Sequence, residues 1–136
     1  MRSLTTIAAG AVLLMTGATA FAATGPSPKA QAQLAKAIEG RVAGKPVDCI
    51  NLRDIRSTEV IDGTAIIYRV SGSKLYVNTP RSGQSALNSS NVPVLRTSIS
   101  QLCSVDTLQM YDTASRFPTG AVFLGEFVPY TKAAKD

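Results

Sequence analysis

Histidine is absent from this 136-residue chain, and its absence removes more chemistry than any motif present supplies. Without an imidazole there is no Ser-His-Asp or Cys-His nucleophilic site and no histidine general base. His-bearing zinc sets and haem ligation through C-x-x-C-H are excluded too. Only two cysteines occur, Cys49 and Cys103, and they are far from C-x-x-C spacing. A four-ligand metal site would therefore need carboxylates for the rest of its donors, an uncommon structural set, and neither a metal nor a cofactor is expected. Aromatic residues make up 6% of the chain, its positive charges are dispersed, and no Lys/Arg block or aromatic-basic signature appears. Nucleic acid is therefore not an expected partner.

Long apolar runs are also scarce. The only one lies at the start, in "MRSLTTIAAGAVLLMTGATAFAA", where Arg2 precedes an apolar stretch around Ala8 to Met15 and small residues follow. This is the layout of a secretory signal peptide, with an A-x-A site at Ala20-Phe21-Ala22 and an alternative at Ala18-Thr19-Ala20. The run is interrupted by Gly10, Thr16 and Gly17 and falls short of the ~20 residues that a span needs. No later segment is long and apolar enough to cross a bilayer, so no transmembrane segment is expected after cleavage. The first cysteine lies too far from the apolar run for lipoprotein attachment. Loss of residues 1–22 lowers the formal net charge of +5 by one. A single domain over 23–136 is expected, mildly basic and inclined toward anionic surfaces.

Export also decides how the cysteines are read. In an oxidising compartment two lone cysteines pair, and "PVDCINL" and "ISQLCSV" both set a cysteine beside apolar residues, as a buried bridge would. A disulfide between Cys49 and Cys103 is the expectation; a redox-active pair and two free buried thiols are the alternatives.

Along the chain, Ser27 is placed to cap a helix beginning at Pro28. Leu34, Ala37 and Ile38 then recur at helical spacing, and Gly40 ends the run. This predicts a short helix over about 28–39 with a narrow apolar stripe, lying at the edge of the domain. From Val47 the period changes. "VDCINL", "IRSTEVI", "TAIIYRV", "KLYVN", "VPVLRTS", "TLQMYD" and "AVFLGEFVPY" read as strands separated by turn residues. The fold class is mainly β (α+β): a small antiparallel sheet or partly closed barrel of about 6–7 strands with one N-terminal helix.

Asp62-Gly63 is a strong hairpin signal, and Gly72-Ser73 marks a second two-residue loop. The second loop pairs Val70 with Leu75 and Tyr68 with Val77, which sets these four on one face. The same count at Asp62-Gly63 puts Glu59 on that apolar face. Either that turn is longer or both faces are covered, as in a small barrel or a sheet with a helix on it. Between Thr79 and Asn91, "TPRSGQSALNSSN" is a polar loop longer than most connections, to be read as a solvated excursion or a binding element.

Catalytic signals are weak. Ser71–Lys74 fits S-x-x-K, but in a hairpin turn and not at a helix start. Asp48, Asp54, Asp106 and Glu126 could supply a carboxylate pair, though no spacing selects one. Asp54, Asp62 and Asp112 read more simply as turn residues.

Together "GRVAGKPVDCINL", "IDGTAIIYR", "LYVNTPRSG", "SQLCSVDTLQMYD" and "GAVFLGEFVPYTK" resemble an uncharacterised family of small exported alphaproteobacterial proteins, of sphingomonad type. The resemblance spans about Leu34 to Lys132. It implies a signal peptide and paired cysteines but carries no activity. The resulting expectation is an exported, periplasmic or secreted, non-enzymatic binding or envelope-accessory domain. Its partner would be an envelope component or a protein, met by Arg81 of the long loop and by Arg69, Lys74 and Tyr76. The alternatives are a small envelope hydrolase using paired carboxylates and an inhibitor presenting the 79–91 loop.

Overall fold

The computed structural model describes residues 25–134, so the signal-peptide segment lies outside the described residues. Helix α1 (Pro28–Ile38) begins where the sequence places it: the Ser27 hydroxyl accepts from the Ala30 N–H at 3.2 Å, and Pro28 occupies the first turn. Such a cap is worth about 1 kcal/mol. Gly40, at φ 68°, turns the chain out of the helix in a conformation that glycine adopts without strain.

Ten strands follow: β1 (Arg41–Ala43), β2 (Cys49–Asn51), β3 (Ser57–Ile61), β4 (Ala65–Arg69), β5 (Lys74–Asn78), β6 (Asn91–Val94), β7 (Gln101–Cys103), β8 (Thr107–Asp112), β9 (Pro118–Phe123) and β10 (Phe127–Lys132). The sequence leads one to expect about six to seven, from seven strand-like runs. The difference arises because Leu124–Glu126 divides the last apolar run into two strands, and because β1 and β7 are three-residue pieces too short to show a period. All pairings are antiparallel. The sheets are β1-β10-β5-β4-β3, β6-β8-β9 and the pair β2-β7. The five-stranded sheet is open, with β1 and β3 at its edges, so the barrel alternative does not hold.

Both hairpins of the large sheet have three-residue loops. In β3–β4, Ile61 faces Ala65 and Glu59 faces Ile67; only Gly63, at φ 61°, has positive φ, so the turn is not the type with two such residues. The turn is longer and both faces are covered, so both resolutions of the Glu59 conflict apply. In β4–β5, Tyr68 faces Tyr76 and Arg69 faces Leu75, one residue away from the expected register. The slip moves Leu75 and Val77 to the face opposite Tyr68, since side chains alternate along a strand. Its cause is local: the Ser71 hydroxyl accepts from the Ser73 and Lys74 N–H groups at 3.3 and 3.1 Å, which draws Ser71 into the loop.

The large sheet is thus the middle layer. On one side α1 covers it, packing Ala30, Leu34, Ala37 and Ile38 against Ile61, Ala65, Ile67, Leu75 and Val77. On the other side Val60, Ile66, Tyr68 and Phe127 meet Ile50, Leu102, Leu108, Met110 and Val122 from the two smaller sheets. Tyr68 and Phe127 contact at a centroid separation of 5.8 Å. Asn78 is fully buried yet satisfied: its amide donates to the Gly125 carbonyl at 2.6 Å and accepts from the Gly125 N–H at 3.1 Å.

Cys49 and Cys103 stand directly opposite each other in β2-β7 and form the expected disulfide, with a Cα–Cα distance of 4.0 Å. Both are half-buried and not sealed in the core as the flanking apolar residues suggest. Among the described residues no helix is long and apolar enough to cross a membrane.

Candidate functional site

Between β2 and β3 the chain makes a 3-10 turn, Leu52–Asp54. Asn51 caps it, its side-chain oxygen accepting from the Arg53 N–H at 3.0 Å, and the Ile55 N–H closes it on the Leu52 carbonyl at 3.3 Å. Three residues per turn bring positions i and i+3 into line. In "LRDIR" this sets Leu52 with Ile55 on one side and directs Arg53, followed by Arg56, to another.

The charged side borders a cleft of about 520 Å³ lined by Ile50, Asn51, Arg53, Asp54, Arg56, Val70, Lys74 and Tyr76. Arg56 is held at the wall by two bonds to the next strand. Its N–H donates to the Arg69 carbonyl at 2.7 Å, and its Nε donates to the Val70 carbonyl at 3.2 Å, leaving both terminal nitrogens free of that contact. Across from it the Lys74 ammonium sits 5.1 Å from the centre of the Tyr76 ring, a cation–π distance that holds the charge near the aromatic face. Among the described residues the only salt bridge is Arg69–Glu59, so Arg53, Arg56 and Lys74 share the cleft with one carboxylate, Asp54, and pair with none. An excess of fixed cations in a concave site concentrates anions.

Of the binding residues expected from the sequence, Lys74 and Tyr76 meet in this cleft; Arg69 and Arg81 do not. Arg69 points to the helix-covered side, where its guanidinium pairs with Glu59 at 3.1 Å in a separate groove. Arg81 stitches the chain together: Nε donates to the Leu124 carbonyl at 2.8 Å and a terminal nitrogen to the Ser104 carbonyl at 3.0 Å. The long loop around it is anchored as well. Ser82 bridges to Phe123, Gly83 lies so close to Ala121 that any side chain would strike its carbonyl, and Leu87 is buried.

Asp106 accepts from the Cys103 N–H at 2.7 Å and Asp48 from the Ser104 hydroxyl at 3.3 Å. Asp112 does serve its turn, and the Ser115 and Ala114 N–H groups with the Ser115 hydroxyl lower its pKa. Asp62 instead accepts from the distant Ser89 N–H at 2.6 Å, and Asp54 lies in the cleft. Ser71 of the S-x-x-K match is engaged with the backbone of its own turn, as a hairpin position requires. Among the described residues no three His, Cys, Asp or Glu side chains gather as a metal site would need.

A second, smaller pocket of about 220 Å³ lies on the other side of the 3-10 turn, lined by Leu52, Ile55, Thr58, Tyr68, Pro93, Leu95, Leu102 and Leu108. Tyr68 is buried, its hydroxyl has no hydrogen-bond partner among the described residues, and burial raises its pKa well above the ordinary phenol value. Arg53 and Arg56 are not among the binding residues expected from the sequence. The signal that would have found them is the three-residue repeat of apolar and basic residues in "LRDIR".

No protein-family model, curated protein or solved structure matches the chain.

Proposed function

We propose that this chain is an exported, non-enzymatic binding domain of the cell envelope, periplasmic or secreted, whose cleft at the 52–56 turn takes a small anionic group. The observation that carries the reading is the convergence of Arg53, Arg56 and Lys74 around one cleft with a single carboxylate among them. Like charges gathered in this way repel one another, and an anion relieves that repulsion. Export is supported by the signal-like start and by the disulfide, which persists in oxidising compartments.

Titration with inorganic phosphate at low ionic strength, followed by calorimetry, tests the reading. Binding is expected to weaken at least roughly ten-fold in Arg56→Ala/Lys74→Ala and to fall as salt is added, because the contacts are partly screened. Arg96→Ala, away from the cleft, should leave it unchanged. Equal phosphate binding by the cleft variant and the parent protein would overturn the proposal. A hydrolase using paired carboxylates draws no support from this cleft, where Asp54 has no acidic neighbour among the lining residues. An inhibitor presenting the 79–91 loop is less favoured because that segment is spent on holding β9.

A further inference from the structure

The charged cleft and the apolar pocket share one wall, and this carries the identity of the ligand further. Asn51, Arg53, Asp54 and Arg56 line the cleft, while the intervening Leu52 and Ile55 line the pocket. Behind the turn the same division repeats across the sheet. Tyr76 borders the cleft and its directly paired neighbour Tyr68 borders the pocket; Ile50 borders the cleft and its partner Leu102 the pocket. A basic site and an apolar site therefore stand side by side, separated by the thickness of one turn and one residue pair.

Resting on the anion-binding reading above, we infer that the ligand is an anionic amphiphile: an acyl chain segment or single ring enters the pocket, and its anionic group stays over Arg53, Arg56 and Lys74. Size supports this occupant. A dry cavity of about 150 Å³ holds benzene, so 220 Å³ accepts a short chain or one ring and no bulky headgroup. Charge supports it too, since no charged side chain lines the pocket and all of its lining side chains but Thr58 and Tyr68 are aliphatic, while the unpaired cations are next door. The pocket wall is also not that of a finished core: a buried phenol without a partner is an arrangement that closed cores avoid.

The test compares acetate, octanoate and 1-octanol as probes on the purified protein by calorimetry, with inorganic phosphate as the head-only reference. Each buried methylene multiplies affinity by roughly four, so two of them in the pocket already favour octanoate over acetate by more than about ten-fold. Thr58→Trp, a substitution at an exposed position on edge strand β3, places an indole at the pocket mouth. It should abolish octanoate's advantage while leaving phosphate binding intact. The chain has no tryptophan of its own, so the new indole's fluorescence also reports folding. Leu95→Trp at the opposite rim serves as the second blocking variant if the first is unstable.

Octanoate binding no tighter than acetate, with phosphate still bound, overturns this inference and leaves the anion site standing. Octanol binding as tightly as octanoate, unaffected by Arg56→Ala/Lys74→Ala, also overturns it, because the pocket would then act without the cleft. Phosphate failing to bind while octanoate retains its advantage removes the cleft reading and with it the anionic half of the ligand.

Discussion

The two faces of the five-stranded sheet are closed in different ways, and the contrast locates the candidate site. On the helix side a single continuous element, α1, covers small and branched residues; Ile61, Ala65, Ile67 and Leu75 are fully shielded and no buried polar side-chain atom is left without a partner there among the described residues. On the other side the cover is assembled from two small sheets and the segments between them. These are held by the Cys49–Cys103 bridge, the Arg81 guanidinium and the Asn78–Gly125 pair. A cover built from pieces has seams, and both the charged cleft and the apolar pocket lie along the seam made by the 52–56 turn. Continuous packing gives stability; the interruption beside it supplies the concave surface that binding requires.

The sharpest way to break the contrast is to remove the covalent part of the cover. The bridge joins positions 54 apart in sequence, enclosing β3, β4, β5 and β6. In the chain-entropy model its loss should lower the unfolding free energy by about 4 kcal/mol. Urea denaturation with and without reductant measures this, and the mass of the alkylated protein reports the oxidation state. A loss below about 1 kcal/mol would place the stability of this side in its packing, contrary to the cover described above.

A matched pair of core truncations comes next. Ile67→Ala opens a cavity on the closed helix side, and Leu108→Ala opens one on the side that already borders a pocket. Large-to-small changes cost about 2–5 kcal/mol, depending on the cavity left behind and how far the site collapses. Ile67→Ala should fall near about 4 and Leu108→Ala near about 2.5 kcal/mol, since pieces around an existing pocket relax more easily. Denaturation midpoints decide the order, and the reverse order would mean that the pieced cover is as tightly packed as the helix side.

Much of this architecture is legible in the sequence because short-range chemistry fixes it. Ser27-Pro28 and Gly40 bracket the helix, and the β-branched runs mark the seven longer strand segments. The cysteines needed only a compartment in which to pair. The register of β4 and β5 is not legible, for a physical reason. Both faces of that hairpin are buried, so Tyr68 and Ile67 are both shielded and alternation carries no parity; a single Ser71 hydroxyl then decides the loop length. Charges mislead in the same way. Arg81 looks free in the sequence, whereas two carbonyls brought together only by the tertiary fold occupy it. Arg53 and Arg56 look like ordinary surface residues until the 3-10 turn aligns them beside Lys74.

The smallest expected effect has the opposite sign and concerns Tyr68, a residue that belongs both to the packed core and to the pocket wall. Its ring is needed, since it packs on Phe127, but its hydroxyl is shielded without a partner. Leaving such a group unsatisfied costs about 1–3 kcal/mol, part of which is recovered when an apolar group of the same shape replaces it. Tyr68→Phe should therefore stabilise the unliganded protein by up to about 1 kcal/mol at neutral pH. Burial also raises the pKa of this phenol, so the folded chain keeps it protonated while the unfolded chain ionises it near pH ~10. The stability of the parent protein is thus undiminished by this group below that pH and declines above it, so the advantage of the phenylalanine variant should widen as pH rises past 10. Thermal melts of both proteins at pH 7 and pH 10.5 measure both effects. A variant less stable than the parent at neutral pH would mean that the hydroxyl contributes a bond in the folded state, and the pocket side would then be as fully satisfied as the helix side.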